Sequence, residues 1–171
     1  MTIVNRIRFF VFAVGLGIGQ GYQPVCAFNY GAGKYRRVKK GFLFTLGIGE
    51  LFLSVLAVIG LLCSDFLVGI FRDDPQVIAV GSFALKAQLL ALFFQPLSIC
   101  SNMTFQSVGK NKPATFLSML RSGLVFIPVI LILSNQIGLT GIQIAQTVTD
   151  VITFFVSIPF IVYFFKHLPK K

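Results

Sequence analysis

Apolar residues fall into five long runs, near Phe9–Phe28, Gly41–Leu62, Ile78–Met103, Ala114–Leu133 and Ile142–Phe165. Each is close to or above the ~20 residues that a helix needs to cross a hydrocarbon core. Runs of that length do not read as strands. They predict an all-α fold, a polytopic membrane helix bundle of five spans occupying residues 1–171 as one unit. The connectors alternate in charge. Tyr30–Lys40 carries Lys34, Arg36, Arg37, Lys39 and Lys40, whereas Ser64–Gln76 carries Asp65, Asp73 and Asp74 against Arg72. Gly109–Pro113 is basic again, Ser134–Thr140 is uncharged, and the tail holds Lys166, Lys170 and Lys171. Cytoplasmic loops retain Lys and Arg, so the first and third connectors and the C-terminus are expected in the cytoplasm. Tyr30, Tyr35 and Tyr163 then fall at the cytoplasmic interface, where amphipathic rings are favoured. Arg6 and Arg8 run against an exported start, as expected if Met1 is not the natural beginning of a membrane domain.

Polar positions inside the runs carry the candidate chemistry. In the third run, Gln88, Gln95, Asn102 and Gln106 follow one another at steps of seven, seven and four. On a straight helix they stay within about 40° of one another over ~27 Å. Such a row must face protein or water, so it is either a set of interhelical hydrogen bonds or the wall of a polar pathway. In the fifth run Gln146, Asp150, Thr153 and Ser157 share one helix face. Asp150 is the carboxylate deep in that span, suited to a proton, a cation, a cationic substrate, or pairing with Arg121 or Lys86. Glu50 lies a turn or two inside the second span, placed to snorkel or pair. In the first run Gly15 with Gly19, and Gly17 with Gly21, make two interleaved small-residue pairs that permit close helix approach. Gln20 and Gln23 are expected beside that glycine face, with a bend near Pro24. Pro96, Pro128 and Pro159 are expected to kink their spans rather than end them.

Composition agrees with the bilayer reading. The chain is 56% hydrophobic and 12% charged, where soluble domains carry roughly 25% charged residues. Its formal net charge of +10 sits in short clusters between apolar runs, which suits lipid headgroups and topology rather than nucleic acid. Cys26, Cys63 and Cys100 are widely spaced and form no metal or disulfide framework, and the single histidine, His167, lies in the basic tail. No Ser/His/Asp or Cys/His set is present, so no enzyme activity and no resident cofactor are expected.

Several pieces of the sequence resemble the multidrug and toxic compound extrusion (MATE) transporters. They are Gly19-Gln20-Gly21-x-x-Pro24 followed by Phe28-Asn29-Tyr30-Gly31-Ala32, Phe105-Gln106 with Gly109-Lys110, and Leu117-Ser118 with Arg121 and Ile127-Pro128. Gly138-Leu139-x-Gly141 and Asp150 complete the set. The resemblance implies the second lobe of such a transporter without its first helix, with Gly15, Gly19, Gln20, Gly21 and Pro24 forming a helix-packing motif. It implies secondary active efflux of small cationic, drug-like molecules driven by sodium ions or protons. A missing N-terminal lobe would be the working partner, and the chain alone would not transport. Gln88, Gln95, Asn102, Gln106, Arg121 and Asp150 would then belong to the substrate pathway. Family acids associated with ion coupling lie outside this chain or are replaced within it, so the coupling-ion site is expected elsewhere. The competing reading is a non-transporting helical scaffold or a degenerate remnant.

Overall fold

The computed structural model describes residues 2–69 and 75–169, and every regular element among them is helical. Helix α1 (Thr2–Gly31) and α2 (Tyr35–Leu62) form a hairpin. A short α3 (Ser64–Gly69) leads towards α4 (Pro75–Leu90). One 3₁₀ turn (Ala91–Phe93) separates α4 from α5 (Gln95–Ser107). Then come α6 (Asn111–Met119), a π-turn (Leu120–Leu124), α7 (Phe126–Ile137) and α8 (Leu139–Lys166). Asp73 and Asp74, expected to start the third span, lie outside the described residues, as do Arg72, Lys170 and Lys171.

Among the described residues, four helical stretches are long and apolar enough to cross a membrane: Phe9–Gly31, Tyr35–Leu62, Asn111–Ile137 and Thr140–Lys166. The pair Gly81–Phe93 and Gln95–Ser107, bent by 51° at the break between them, passes the same test of length and apolarity when taken together and so gives a fifth candidate span. The expected straight third span is therefore broken. Pro96 is the cause, because at the second position of α5 it offers no N–H to the carbonyl of Leu92 and the helix must restart. Proline thus bends the span at the start of α5, while Pro24, Pro128 and Pro159 lie within α1, α7 and α8.

The side chains are distributed as a bilayer requires. Phe44, Leu51, Leu62, Leu131 and Phe155 point outward, while Gln88, Gln95, Thr104, Thr149, Asp150, Thr153 and Ser157 are buried. Lipid tails are as apolar as leucine, so outward apolar residues cost nothing and inward polar residues find partners. Thr149, Thr153 and Ser157 each return their hydroxyl to the carbonyl four residues earlier, at 2.7–2.8 Å.

Packing begins with the spacing of small and apolar residues. On α2 the buried positions Val38, Phe42, Thr45, Gly49, Leu53, Ala57 and Gly60 recur every three or four residues, as one helical face must. Gly15 and Gly19 are buried on α1. A Cβ on Gly15 would stand 3.1 Å from Leu53, and one on Gly19 would stand 2.9 Å from Ile99. Gly17 and Gly21 have no atom within 4 Å of that position, so of the two expected glycine pairs it is Gly15–Gly19 that packs. Two apolar clusters hold the ends of the bundle. Tyr22, Phe42, Phe105 and Phe164 centre one, and Leu53, Val68, Leu85 and Leu92 the other.

Tight turns close the hairpins. Gly33 and Gly109 adopt φ of 69° and 72°, and the next residues, Lys34 and Lys110, return N–H bonds to Asn29 and Phe105. Only glycine takes that left-handed position without cost. Both turns meet the C-terminal end of α8. Tyr30 stacks on Phe164 with ring centroids 6.2 Å apart, and the Lys110 ammonium lies 4.9 Å above the same ring. The basic connectors thus share one end of the bundle.

Candidate functional site

Asp150 is the centre of the buried polar network. It sits midway along α8 and is only 3% exposed. Gln95, the first residue of α5 and equally enclosed, donates its Nε2 to Oδ2 of Asp150 at 2.9 Å. Arg121 donates Nε to Oδ1 at 3.2 Å, forming an ion pair, and Gln146 donates Nε2 to the same oxygen at 3.3 Å. The guanidinium carbon lies 4.4 Å from the centre of the Phe12 ring on α1. A carboxylate out of water needs an opposite charge and satisfied lone pairs, and this arrangement supplies both. The delocalised guanidinium tolerates partial burial on an aromatic face better than an ammonium would.

Two irregular segments bring these groups together. The break before Pro96 places Gln95 at a helix start instead of on a helix wall. Across the break, Thr147 of α8 donates to the carbonyl of Ala87 at 2.7 Å, so α8 holds both sides of the bend. The π-turn places Arg121 in a widened turn, closed by the Val125 N–H bonded to the Leu120 carbonyl at 3.0 Å. Such turns insert one residue without ending the helix.

A second network runs from α1 to α6. Gln23 Nε2 lies 3.0 Å from Gln106 Oε1 and 2.8 Å from the Met103 sulfur. Gln106 donates to Asn102 Oδ1, and Asn102 donates to Ser118 Oγ at 2.7 Å and to the Ala114 carbonyl at 3.3 Å. Beside it opens a cavity of about 200 Å³, whose walls include Ser98, Asn102, Gln106, Ser118, Arg121 and Thr153.

The six expected pathway residues are thus divided. Gln95 and Arg121 both bond Asp150, and Asn102 and Gln106 line the same cavity as Arg121. Gln88 lies on α4 beyond the break, buried, with its Oε1 unpartnered among the described residues. Of the expected packing motif, Gly15 and Gly19 meet other helices, while Gln20, Gly21 and Pro24 are exposed. Gln23, not Gln20, makes the polar link to α5. Lys86, considered as a partner for Asp150, is exposed on α4. Phe12, Gln23, Ser98 and Ser118 were not singled out as site residues by their sequence neighbourhoods. Gln95 preceding Pro96 was the one readable hint of the break. Among the described residues, no group of three His, Cys, Asp or Glu side chains could hold a metal ion, and the three cysteines are free.

The MatE family profile matches residues 1–132. The multidrug export protein MepA of Staphylococcus haemolyticus (strain JCSC1435) is 26% identical over 148 residues, covering 86% of this chain and 32% of that protein. MepA of Staphylococcus saprophyticus is 27% identical over 139 residues, covering 80% of this chain and 30% of its own length. The chain therefore spans about a third of the length of these curated relatives. Among solved structures, the MATE multidrug transporter DinF-BH in complex with R6G superposes with a TM-score of 0.87 at 30% identity. That match covers 95% of this chain and 36% of DinF-BH. An outward-facing MATE family transporter superposes with a TM-score of 0.91 at 16% identity, covering 98% of this chain and 38% of that one. This multi-pass membrane chain belongs to the MatE family, the multidrug and toxic compound extrusion transporters that its sequence resembles.

Proposed function

We propose that the chain supplies the second-lobe part of a secondary active exporter that moves small cationic, drug-like molecules in exchange for sodium ions or protons. The observation that carries this reading is the match to DinF-BH in complex with R6G, at 30% identity over 95% of this chain. Alternating access needs two lobes or repeats moving about a shared site. The working partners are then the bilayer and the lobe that the remaining length of the relatives would provide, with no role for nucleic acid. Clustering of the basic connectors at one end of the bundle supports a cytoplasmic assignment for that end and for the C-terminus. The staphylococcal relatives support a bacterial plasma membrane as its location.

Within this lobe the two networks have different roles. Asn102 and Gln106 border the cavity and form the accessible wall of the pathway. Gln95 is committed to Asp150, and Gln88 is enclosed among packed helices, so both act by holding the broken span in shape. Asp150 is already engaged by Arg121, Gln95 and Gln146. That engagement supports an electrostatic supporting role and leaves the coupling ion to residues outside this chain.

The test is exchange in everted membrane vesicles carrying the full-length protein. An imposed sodium or proton gradient should drive uptake of a cationic dye, and the matching ionophore should abolish it. Dye movement indifferent to both gradients would overturn the exchange mechanism.

A further inference from the structure

We propose that the basic end of the bundle holds an anionic phospholipid in a fixed place, its phosphate on Lys110 and Lys112 and its acyl chains along α6 and α8. The proposal rests on the chain's place in a bilayer and not on export, and it goes beyond the part that connector charge plays in topology.

The first observation is the charge at this end. Residues 30–40, 109–113 and 166–171 contain no Asp or Glu, and Lys34, Lys39, Lys110 and Lys112 are all exposed. Neither the Lys110 nor the Lys112 ammonium has an ion pair or hydrogen bond among the described residues, whereas Arg121 is paired with Asp150. A lipid phosphate meets charge-assisted donors here. The cation of a choline or ethanolamine headgroup finds no carboxylate, so a net negative lipid is favoured over a zwitterionic one.

The second observation is independent and concerns position. The Lys110 backbone N–H bonds the Phe105 carbonyl at 2.9 Å, and its ammonium lies 4.9 Å above the buried Phe164 ring. A lysine placed at both ends loses less freedom on binding than one waving in solvent. Lys112 shares a side of α6 with Phe116, four residues on. Phe116 in turn stacks on Phe160 of α8, with ring centroids 5.5 Å apart. Phe116, Val162 and Tyr163 are exposed, so apolar surface for acyl chains adjoins the cations, and Tyr163 suits the level of the headgroups. A free phosphate would use the lysines alone, whereas a lipid uses the lysines and this apolar surface together.

The test is native mass spectrometry of the purified full chain in mild detergent, offered dioleoylphosphatidylglycerol and dioleoylphosphatidylcholine in equal amounts. The two lipids share their chains and differ in net charge. Phosphatidylglycerol should be retained at least about tenfold over phosphatidylcholine. Lys110→Gln/Lys112→Gln should lower that preference by about three- to tenfold, and Lys110→Arg/Lys112→Arg should keep it. Removing two cations elsewhere, in Arg6→Gln/Lys86→Gln, should leave it unchanged. All four substituted positions are exposed, so the variants should fold, and circular dichroism checks that they do. Equal retention of the two lipids, or equal losses in the two glutamine variants, would overturn the proposal. So would release of the phosphatidylglycerol by millimolar inorganic phosphate at constant ionic strength, which would make the lysines a site for free anions. Export of a cationic dye is a separate readout. Its absence with the lipid preference intact would count against the exporter reading alone, and the reverse result would count against this site alone.

Discussion

Asp150 shows how one buried charge organises its surroundings. With 3% of its surface exposed, its carboxylate depends on Arg121 and two amides from different elements. Removing one partner of such a pair is far worse than removing both, because the survivor is left charged and unsolvated. Arg121→Ala should therefore destabilise the chain by about 3–5 kcal/mol, within the range for broken buried pairs. Arg121→Leu with Asp150→Leu should recover much of that loss. Unfolding of the purified chain in mixed detergent measures both, and equal destabilisation by the single and double variants would show that the pair does not act as a unit. At this scale the sequence was informative on one helix and nearly silent between helices. Asp150, Gln146, Thr153 and Ser157 share a face because α8 is a regular helix through that stretch. Phe12 beneath Arg121, and Gln23 beside Gln106, are 109 and 83 positions from their partners. No local periodicity encodes such contacts.

Helix packing depends on which glycine faces a neighbour. A leucine at Gly19 would drive into Ile99 and Met103, 2.9 and 3.2 Å from the new Cβ, whereas one at Gly21 meets nothing within 4 Å. Gly19→Leu should cost about 1–3 kcal/mol through overpacking of α1 against α5. Gly21→Leu should leave the isolated chain within about 0.5 kcal/mol of its original stability. Thermal unfolding of the two variants side by side checks this, and equal losses would contradict the assignment of the packed face. The α7–α8 hairpin makes the same point more strongly, since a Cβ on Gly141 would stand 2.0 Å from the Leu133 carbonyl oxygen. The four unbroken candidate spans and the bent pair were all legible, because their apolar length survives any local irregularity. The break at Ala91–Phe94 and the π-turn were not. An even row of Gln88, Gln95, Asn102 and Gln106 presumes a straight helix. Once Pro96 interrupts it, Gln88 and Gln95 serve the interior while Asn102 and Gln106 face the cavity.

On the scale of the whole molecule, the chain is a bundle with apolar residues outward and amides, hydroxyls and the Arg121–Asp150 ion pair inward. That inversion is the bilayer solution to burying polar groups, and a cavity of about 200 Å³ opens beside Arg121. The connector charges read from the sequence gather at one end in space, because the turns at Gly33 and Gly109 both meet Phe164 through Tyr30 and Lys110. Export is the central claim, and its most direct test is cationic dye efflux from cells expressing the full-length protein, with membrane levels matched. Asn102→Ala with Gln106→Ala should slow efflux by at least about tenfold, as loss of two polar wall contacts implies, while the amount of folded protein stays the same. Unchanged efflux, or a loss that only tracks folded yield, would contradict the account and leave these amides a structural role alone.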